Sequence, residues 1–370
     1  MKLVFSKADL LKSVNIVLKA VSSKTTMPIL ECILIDASTN QIKFTSNDME
    51  LGIETLAEGI IIQKGMIALD AKILSEIVRR LPESDVTIET DDNLVATITC
   101  EKAKFNIPGK PGDEFTRLPL ITKNECISLS QFTLKEVIRQ TIFSIAPNEN
   151  NKLMTGELFE LKNNTLKVVS LDGHRIAIRT LRMEGTYPDR KVVVPGKTLN
   201  EISKILSGEI NDTVSIYFSD NHILFEFDQT VVVSRLIDGE YFRVDQMLSS
   251  DYETKLVINK REFLSCIDRA TLLMKESEKK PVIINIEDRS MELRMDTSMG
   301  SMKEDIDIEK TGKDIRIGFN PKFLIDALKV IDDEEVSIYL VNPKAPCFIK
   351  DEEENYIYLI LPVNINSSHS

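Results

Sequence analysis

Basic residues recur in pairs seven positions apart, a spacing that could build an anion-binding surface. Four pairs lie in stretches with helical apolar spacing: Lys12/Lys19, Lys72/Arg79, Lys197/Lys204 and Lys322/Lys329. Seven residues make two helical turns, so both members of a pair lie on one stripe, away from the apolar face. Such a stripe attracts phosphate, although the solvated face of an ordinary amphipathic helix has the same composition.

The distribution of charge favours phosphate binding. The six predicted helices together carry 15 lysines and arginines against 8 acidic residues, whereas the whole chain of 370 residues has a net charge of −12. Lys135/Arg139 and Arg261/Arg269 add two basic pairs to these helices. Basic helices in an acidic protein indicate one surface on which they meet a nucleic acid backbone, a contact that carries no sequence information.

Other residue patterns point away from catalysis and metal binding. Asp172 and His174 flank Gly173 and could form the acid–base pair of a hydrolase, but Asp-Gly between two strand-like runs is first a turn signal. The acidic runs 332–335 and 351–354 lack the ligand spacing and central glycine of a calcium loop. We expect no enzyme activity, no metal and no cofactor. A hydrolase that uses Asp172 and His174 is one alternative.

A helix followed by an antiparallel meander is the unit that positions these residues. Within residues 192–239, Pro195 opens a helix whose apolar residues recur at helical spacing. Strand-like runs follow at 213–218, 222–227 and 230–236, with alternating apolar and polar residues and turn residues between them. The pattern predicts one helix and three antiparallel strands.

The unit repeats along the chain. Helices are predicted at 7–20, 70–81, 131–145, 195–206, 260–274 and 320–331, and the tetrapeptide VSIY occurs at both 214–217 and 336–339. A period of about 125 residues predicts three domains, each with two helix-plus-meander halves. We place them at 1–122, 123–250 and 251–370, with linkers at 108–125 and 248–255. The predicted fold class is α+β, with two helices packed on antiparallel sheets in each domain.

The compartment also follows from composition. No apolar run approaches the roughly 20 residues that cross a bilayer, and the N-terminal residues 1–14 carry charges inside the run where an export signal needs an apolar core. The five cysteines are scattered, odd in number and never in a CxxC pair, which is typical of reduced thiols. We expect a cytoplasmic protein with no membrane contact.

Several segments together resemble one family. SLDGHRIAI (170–178), MPILECILI (27–35), VVVPGKTLNEI (192–202), SRLIDGEY (234–241), IGFNPKFLIDAL (317–328) and YLILPV (358–363) are similar to the bacterial DNA polymerase III β subunit, the sliding clamps. The likeness covers essentially the whole chain, in family order. It implies three clamp-type domains, a head-to-tail homodimeric ring around duplex DNA, and helices that line the hole.

The resemblance also implies site residues. The DNA-binding set contains residues of the basic stripes and two further positions, Lys24 and Asn148. Its members are Lys24, Lys72, Arg79, Lys135, Arg139, Asn148, Lys197 and Lys204. The family's groove for partner peptides maps to Met154, Thr155, Leu171, Gly173, His174, Arg175, Ile176, Phe242, Gln246, Met247, Asn320, Phe323, Pro346, Leu359, Ile360, Leu361, Pro362 and Val363. A groove lined by methionine and aliphatic side chains suits a short peptide with apolar anchors.

A dimer interface is expected between two further regions. The strand at 104–107 ends the sheet of the first domain, so it offers unpaired backbone groups to another chain, and Phe105 and Ile107 are expected to point outward from it. The helix 260–274 ends in Leu272, Leu273 and Met274, more apolar than a solvated helix end requires. The resemblance implies that these regions meet across the subunit boundary.

These observations predict a non-catalytic processivity clamp. Its expected partners are a second copy of the chain, double-stranded DNA bound without sequence preference, the replicative polymerase subunit, a clamp loader, and other proteins with a clamp-binding motif of Gln, Leu and Phe. The alternative from a different class is a peptide-binding scaffold that does not encircle DNA.

Overall fold

The computed structural model describes residues 1–22, 25–123, 126–147, 150–248, 251–275 and 280–365. Within them the six α-helices are α1 (Lys7–Val17), α2 (Ala71–Arg80), α3 (Gln131–Thr141), α4 (Gly196–Ile205), α5 (Lys260–Thr271) and α6 (Pro321–Val330). Tighter 3-10 turns at Leu18–Ala20 and Ile142–Ser144 follow α1 and α3. The predicted ends of three helices, at 20, 145 and 274, are therefore too late by three or four residues, because the last turn tightens or leaves the helix.

The strands of the first third are β1 (Lys2–Ser6), β2 (Cys32–Asp36), β3 (Ile42–Asn47), β4 (Leu51–Ala57), β5 (Ile60–Gln63), β6 (Met66–Asp70), β7 (Asp85–Thr90), β8 (Val95–Cys100) and β9 (Ala103–Pro111). Those of the middle third are β10 (Cys126–Ser130), β11 (Gly156–Lys162), β12 (Thr165–Leu171), β13 (Arg175–Arg182), β14 (Arg190–Pro195), β15 (Thr213–Phe218), β16 (His222–Phe227) and β17 (Thr230–Arg235). Those of the last third are β18 (Thr254–Asn259), β19 (Val282–Glu287), β20 (Ser290–Thr297), β21 (Gly300–Asp307), β22 (Glu309–Gly312), β23 (Ile315–Phe319), β24 (Glu335–Leu340), β25 (Cys347–Lys350) and β26 (Tyr356–Ile360).

The helices begin at polar residues that satisfy their free backbone N–H groups. Asp70 accepts a hydrogen bond from Ile73 N at 2.8 Å at the start of α2. Asn320 accepts one from Lys322 N at 3.1 Å at the start of α6, where Pro321 takes the first helical position. Both arrangements are typical N-caps, and they explain why helix starts could be predicted from the sequence.

The start of α4 differs from the prediction. Pro195 does not open the helix; it ends strand β14, where it pairs with Gly156 of β11. The helix begins at Gly196, where a Cβ would lie 2.4 Å from Ile145 Cδ1 and 2.9 Å from the Thr155 carbonyl oxygen. Glycine permits this close approach of backbone to backbone.

The chain divides into two compact units, residues 1–135 with 197–236 and residues 136–196 with 237–370. In the first unit a 13-stranded antiparallel sheet has the order β10-β15-β16-β17-β4-β3-β2-β6-β9-β8-β7-β1-β5. Within this sheet β17 pairs with β4, and Thr230 lies opposite Thr55. The sheet therefore continues across the predicted boundary between the first and second domains.

The second unit holds two sheets. The nine-stranded sheet has the order β14-β11-β12-β13-β26-β25-β24-β18-β22, and the four-stranded sheet has the order β21-β20-β19-β23. Strand β13 pairs with β26, so that Arg175 lies opposite Ile360 and Arg179 opposite Tyr356. This pairing again joins strands from two predicted domains, the second and the third.

The nine-stranded sheet separates two apolar cores. One core lies on the side of α5, α6 and the four-stranded sheet and includes Phe263, Tyr358 and Ile360. The other includes Ile357 and Leu359, which belong to the same strand. Because successive side chains of a strand point to opposite faces, β26 alternates between the two cores.

The strand positions follow the predicted repeat. Strands β4, β13 and β21 begin at residues 51, 175 and 300, and strands β9, β17 and β26 begin at 103, 230 and 356. Each set consists of the third strand of equivalent half-domains. The internal junctions thus pair β4 with β17 and β13 with β26, always one strand from each set.

Both predicted linkers are shorter than expected. Strand β9 extends to Pro111, pairing with β8 as far as Pro108 and with β6 from Gly109 onward. A proline is tolerated where the strand changes partner, which is why residues 108–111 are strand despite their composition. The second linker, 248–255, ends earlier because β18 starts at Thr254, opposite Leu340 of β24.

Candidate peptide groove and nucleic-acid interface

An apolar cavity of about 410 Å³ opens on the second core of the nine-stranded sheet. Its lining residues are Met154, Leu171, Gly173, His174, Arg175, Ile176, Phe242, Met247, Pro346, Leu359 and Leu361. Three of them form its floor, because Leu171 lies opposite Ile176 and Ile176 opposite Leu359 in adjacent strands. We call this cavity the groove. All of its lining residues belong to the set that the family resemblance implies.

A tight turn forms one wall of the groove. The Asp172 carboxylate accepts hydrogen bonds from the backbone N–H groups of His174 at 3.0 Å and Arg175 at 3.1 Å. Gly173 adopts φ of +86°, a left-handed conformation that favours glycine, and its Cβ position is open space. The turn therefore presents Gly173 and His174 to the groove without steric cost.

The Arg175 side chain lies beneath this turn and is only 7% exposed. Its Nε donates to Asp172 at 3.0 Å, Nη1 to Asp326 of α6 at 2.7 Å, and Nη2 to the Phe143 carbonyl oxygen at 2.6 Å. The Phe323 ring centre lies 4.5 Å from its Cζ, within cation–π range. Arg175 touches the groove, but its donors serve the protein itself.

The C-terminal segment closes the groove beside the same turn. Leu361 N donates to the His174 carbonyl oxygen at 2.9 Å, and Val363 N donates to Gly318 O at 2.8 Å. The His174 ring stacks on Phe323 of α6, with ring centres 6.0 Å apart. The first hydrogen bond holds the segment that follows β26 against the groove wall, and the second holds it to β23.

The opposite wall comes from the segment after β17. Tyr241 is buried, and its ring meets Phe242 edge to face with ring centres 5.6 Å apart. Met247 follows in a 3-10 turn and is 47% exposed. An exposed methionine beside an apolar floor is an adaptable contact for a peptide side chain.

Some residues of the implied groove set lie outside the lining. Thr155, Gln246, Asn320, Phe323, Ile360, Pro362 and Val363 are not among the side chains that line the cavity. Asn320 instead caps α6. Ile360 is 1% exposed and packs in the opposite core, so its assignment to the groove is wrong: the alternation of β26 turns it away from Leu359.

Two residues of the implied DNA-binding set, Lys24 and Asn148, lie outside the described part of the chain. On α2 the buried face is formed by residues such as Leu74 and Val78, and Lys72 and Arg79 are exposed. Arg79 pairs with Glu76 of the same helix at 3.0 Å. Exposed pairs of this kind contribute about 0.3–0.5 kcal/mol, so a phosphate could replace the carboxylate.

Helix α4 and the start of α3 carry three more of these residues. Lys204 pairs with Glu201 of its own helix at 2.7 Å, and the Lys135 ammonium donates to the Leu206 carbonyl oxygen at 3.3 Å. Lys197 pairs with Asp48, in the turn between β3 and β4. Each cation is thus already held by one acceptor of the protein.

Arg139 is more tightly held than the others. Its Nε donates to both Glu136 carboxylate oxygens at 3.0 Å, Nη1 to the Val330 carbonyl oxygen at 3.2 Å, and Nη2 to Asp332 at 2.9 Å. The hydrogen bond to Glu136 raises the pKa of Arg139 above its ordinary value. Its guanidinium ties α3 to the residues that follow α6.

The residues of the expected dimer interface differ in exposure. Phe105 is 40% exposed, beside Ile73 and Ile77 of α2, and Leu272 is 81% exposed. Leu273 and Met274 are half-buried. Ile107 was expected to point outward, but it is 8% exposed, because its side of β9 faces the core there. Phe105 and Leu272 are therefore the more accessible apolar residues of this set.

No acid–base pair forms at Asp172 and His174. The Asp172 carboxylate accepts the backbone N–H of His174, whereas the imidazole stacks on Phe323. In the described ranges no group of three or more His, Cys, Asp or Glu could hold a metal ion. Among the same residues, no helix is long and apolar enough to cross a membrane.

Sequence reasoning missed Asp326 and Phe143. Both contact Arg175 from elements distant in the chain, α6 and the 3-10 turn after α3. A single Asp on an amphipathic helix carries no signal of its own. Only the fold brings it within 2.7 Å of Arg175.

Comparison with known proteins gives the same family for the whole chain. Models of the DNA polymerase III beta subunit match residues 1–119 (N-terminal domain), 128–242 (central domain) and 245–364 (C-terminal domain). The beta sliding clamp of Bacillus subtilis (strain 168) is 35% identical over 377 residues, covering 98% of this chain and 99% of its own length.

Solved structures show the same likeness. The crystal structure of a putative DNA polymerase III beta subunit from Eubacterium rectale is 69% identical with a TM-score of 0.96, covering 99% of this chain and 100% of that one. The sliding clamp of Bacillus subtilis has a TM-score of 0.95 at 34% identity, with 98% and 99% covered. The fold, the domain order and the sequence matches together show that the chain belongs to the bacterial DNA polymerase III β subunit family, the β sliding clamps.

Proposed function

We propose that two copies of this chain close head to tail into a ring around duplex DNA and hold the replicative polymerase through the groove. As a β sliding clamp, the protein is a processivity factor of the replicative polymerase and not a catalyst. Four features of this function are proposals: the ring, the two subunit interfaces that close it (the seams), the DNA-facing residues and the partner motif. We expect it to work in the cytoplasm.

The observation that carries the ring is the pairing of equivalent strands. Two internal junctions join a strand of one set, β4 or β13, to a strand of the other, β17 or β26. The third members of the two sets are β21 and β9. Strand β21 is an edge of its sheet, and residues 103–108 of β9 pair on one side only within the described residues.

Strand β21 of one copy can therefore pair with β9 of the next by the rule that the chain uses twice internally. An edge strand offers a row of free backbone groups for this purpose. Phe105 and Leu272 supply exposed apolar side chains near the two edges, and burial of such a side chain contributes about 1.5–3 kcal/mol. Because each copy has one edge of each kind, a head-to-tail arrangement closes when the rotation permits.

Sequence-independent DNA binding is supported by the basic helix faces. Lys72, Arg79 and Lys204 are exposed, and the ion pairs of Arg79 and Lys204 lie within their own helices. Contacts to phosphate alone position a protein without reading bases, so the protein can slide. The proposed DNA-facing set comprises these residues with Lys24, Lys135, Arg139, Asn148 and Lys197.

The groove is proposed to bind partner peptides with a Gln and spaced Leu or Phe anchors. Its floor of Leu171, Ile176 and Leu359 is apolar, and its rim carries His174 and the exposed Met247. Short peptides bind such grooves through a few apolar anchors. The replicative polymerase, a clamp loader and further proteins with this motif would compete for it.

A topological experiment tests the ring. The protein is loaded with a clamp loader onto nicked circular DNA, and retention is compared before and after linearisation. A ring should stay on the circle at high salt and slide off the linear product. A scaffold that does not encircle DNA should be lost equally from both at high salt, and that result would refute the proposal. The solution mass is the matched check, because a monomer cannot form the ring.

A further inference from the structure

Asp326 lies outside the groove lining, yet a continuous set of contacts joins it to the groove. It sits on α6, where its side chain is 24% exposed, and accepts a hydrogen bond from Arg175 Nη1 at 2.7 Å. Arg175 is itself a buried cation. A buried charge needs its counter-charges, and removal of one is far more disruptive than loss of an exposed pair.

Arg175 transmits that contact to the turn that forms the groove wall. Its Nε donates to Asp172, whose other oxygen accepts the N–H groups of His174 and Arg175. The Asp172 carboxylate thus holds the main chain of the turn, and the Arg175 guanidinium holds the Asp172 carboxylate. Displacement of Arg175 would move the turn as a whole.

The turn then determines the position of two groove contacts. The His174 ring stacks on Phe323, and the His174 carbonyl oxygen accepts Leu361 N at 2.9 Å. Leu361 lines the groove from the segment that follows β26. A path of direct contacts therefore runs from Asp326 through Arg175 and the turn to Leu361.

We propose that Asp326 and Arg175 are positioning residues of the groove: they set its affinity for a partner peptide by holding the turn, and they donate nothing to the peptide. The inference rests on the proposed peptide-binding function. It predicts that a change at Asp326, which does not line the groove, weakens peptide binding. Changes along such a path of contacts alter the coupling between sites modestly, and we expect a loss of about three- to tenfold in affinity.

The test measures binding of a fluorescent peptide with one Gln and Leu/Phe anchors to the full chain. Asp326→Asn should raise Kd by about three- to tenfold, mainly through faster dissociation. Asp332→Asn is the matched control, since it also removes the carboxylate partner of a structural arginine, Arg139 at 2.9 Å, but away from the groove. The Asp332 side chain is 70% exposed against 24% for Asp326, so Asp332→Asn should lose less thermal stability. Only Asp326→Asn should change Kd.

The possible outcomes separate this inference from the function on which it rests. If the wild-type chain does not bind the peptide, the proposed groove function fails. If it binds and Asp326→Asn binds equally well, or if Asp332→Asn weakens binding as much, the positioning role is overturned. Should Asp326→Asn not fold, Asp326→Glu decides, because it keeps the charge and moves the carboxylate by one methylene. It should lose about twofold in affinity, and wild-type affinity would contradict the proposal.

Discussion

The carboxylate of Asp48 binds the ammonium of Lys197, a residue proposed to face DNA. The other Asp48 oxygen accepts backbone N–H groups of Glu50 at 3.0 Å and Leu51 at 2.7 Å. In the next repeat Asp172 likewise accepts backbone N–H groups with one carboxylate oxygen and pairs with a cation, Arg175, through the other. The equivalent turns of two domains thus each hold a cation, and at Lys197 that cation is also a candidate phosphate ligand.

This arrangement predicts opposite effects at the two ends of the pair. Lys197→Glu should weaken DNA retention and reduce the magnitude of the negative slope of log K against log salt by about 0.9, the value for one phosphate contact. Asp48→Asn keeps the turn, because an amide oxygen still accepts the N–H groups, and it frees Lys197. Asp48→Asn should therefore retain DNA at least as well as wild type. Weaker retention by Asp48→Asn would show that Lys197 acts through the turn.

Replacement of Lys72, Arg79 and Lys204 together by Glu should reduce sliding and loading on circular DNA. The fold should persist, because exposed substitutions of this kind usually change stability by less than about 0.5 kcal/mol. Lys313→Glu is a matched control: Lys313 is an exposed lysine outside the helices. Retention equal to wild type in the triple variant would refute the assignment of these helix faces to DNA.

Removal of the chain from Leu361 onward should abolish peptide binding and spare dimerisation. The truncation loses a lining side chain and the hydrogen bonds from Leu361 to His174 and from Val363 to Gly318. Removal of residues 366–370 alone keeps these contacts and is the control. Fluorescence anisotropy measures binding, and sedimentation measures mass. Normal binding by the longer truncation would place the peptide elsewhere.

Leu272→Ala combined with Leu273→Ala should give folded monomers. Leu272 is 81% exposed, so its truncation costs the protomer little, whereas each seam would lose two apolar contacts of about 1.5–3 kcal/mol each. Both seams are affected, because each copy contributes one of each edge. Sedimentation equilibrium gives the mass. Ile60→Ala with Ile62→Ala is the control, as these residues are also exposed, at 65% and 58%. If the Leu272/Leu273 variant forms a dimer as tight as wild type, this seam is excluded.

Glu157 predicts a pH-dependent stability. Its side chain is fully buried in β11, and neither carboxylate oxygen has a hydrogen-bond partner among the described residues. Burial raises the pKa of Glu157 from its ordinary 4.5 to about 8. Between these two values the folded state keeps the proton and the unfolded state loses it. Stability is then fully present below pH 4.5 and falls by about 1.4 kcal/mol per pH unit as the pH rises toward 8.

Urea unfolding at several pH values measures this effect. Glu157→Gln should remove the decline between pH 5 and 8 and be more stable than wild type at pH 8. Glu160→Gln, at a half-buried site of the same strand, should keep the wild-type dependence. An unchanged pH dependence in Glu157→Gln would mean that Glu157 does not keep its proton in the folded protein.

The repeat, the helix positions and the groove floor could be predicted from the sequence. Periodicity and capping residues define α2 and α6 to within one residue of the predicted start. Register is harder, and it accounts for the error at Ile360. Ile107 shares its side of β9 with the exposed Phe105, so its burial instead reflects how far the core extends along that strand. A shift of one residue reverses the face to which a strand side chain points, and sequence similarity to a groove segment does not distinguish neighbours such as Leu359 and Ile360.

Ion-pair partners could not be predicted, because they lie far apart in the chain. The basic stripes indicated Arg139 and Lys197 as DNA-binding residues but not that the fold places Asp332 and Asp48 beside them. Counting charges gives the net sign of a helix face, but it does not show whether each basic side chain already has an acidic partner. The same limit hid Asp326, whose contact to Arg175 spans 151 residues.

The two kinds of strand junction also decide where a closed assembly would break. The pairings of β4 with β17 and β13 with β26 lie within one polypeptide, so strands that separate there remain tethered and re-pair at high effective concentration. A seam between β21 and β9 has no such tether. The same strand pairing would therefore be permanent inside a subunit and reversible between subunits. A loader would need only to separate an untethered seam to open a gate for DNA.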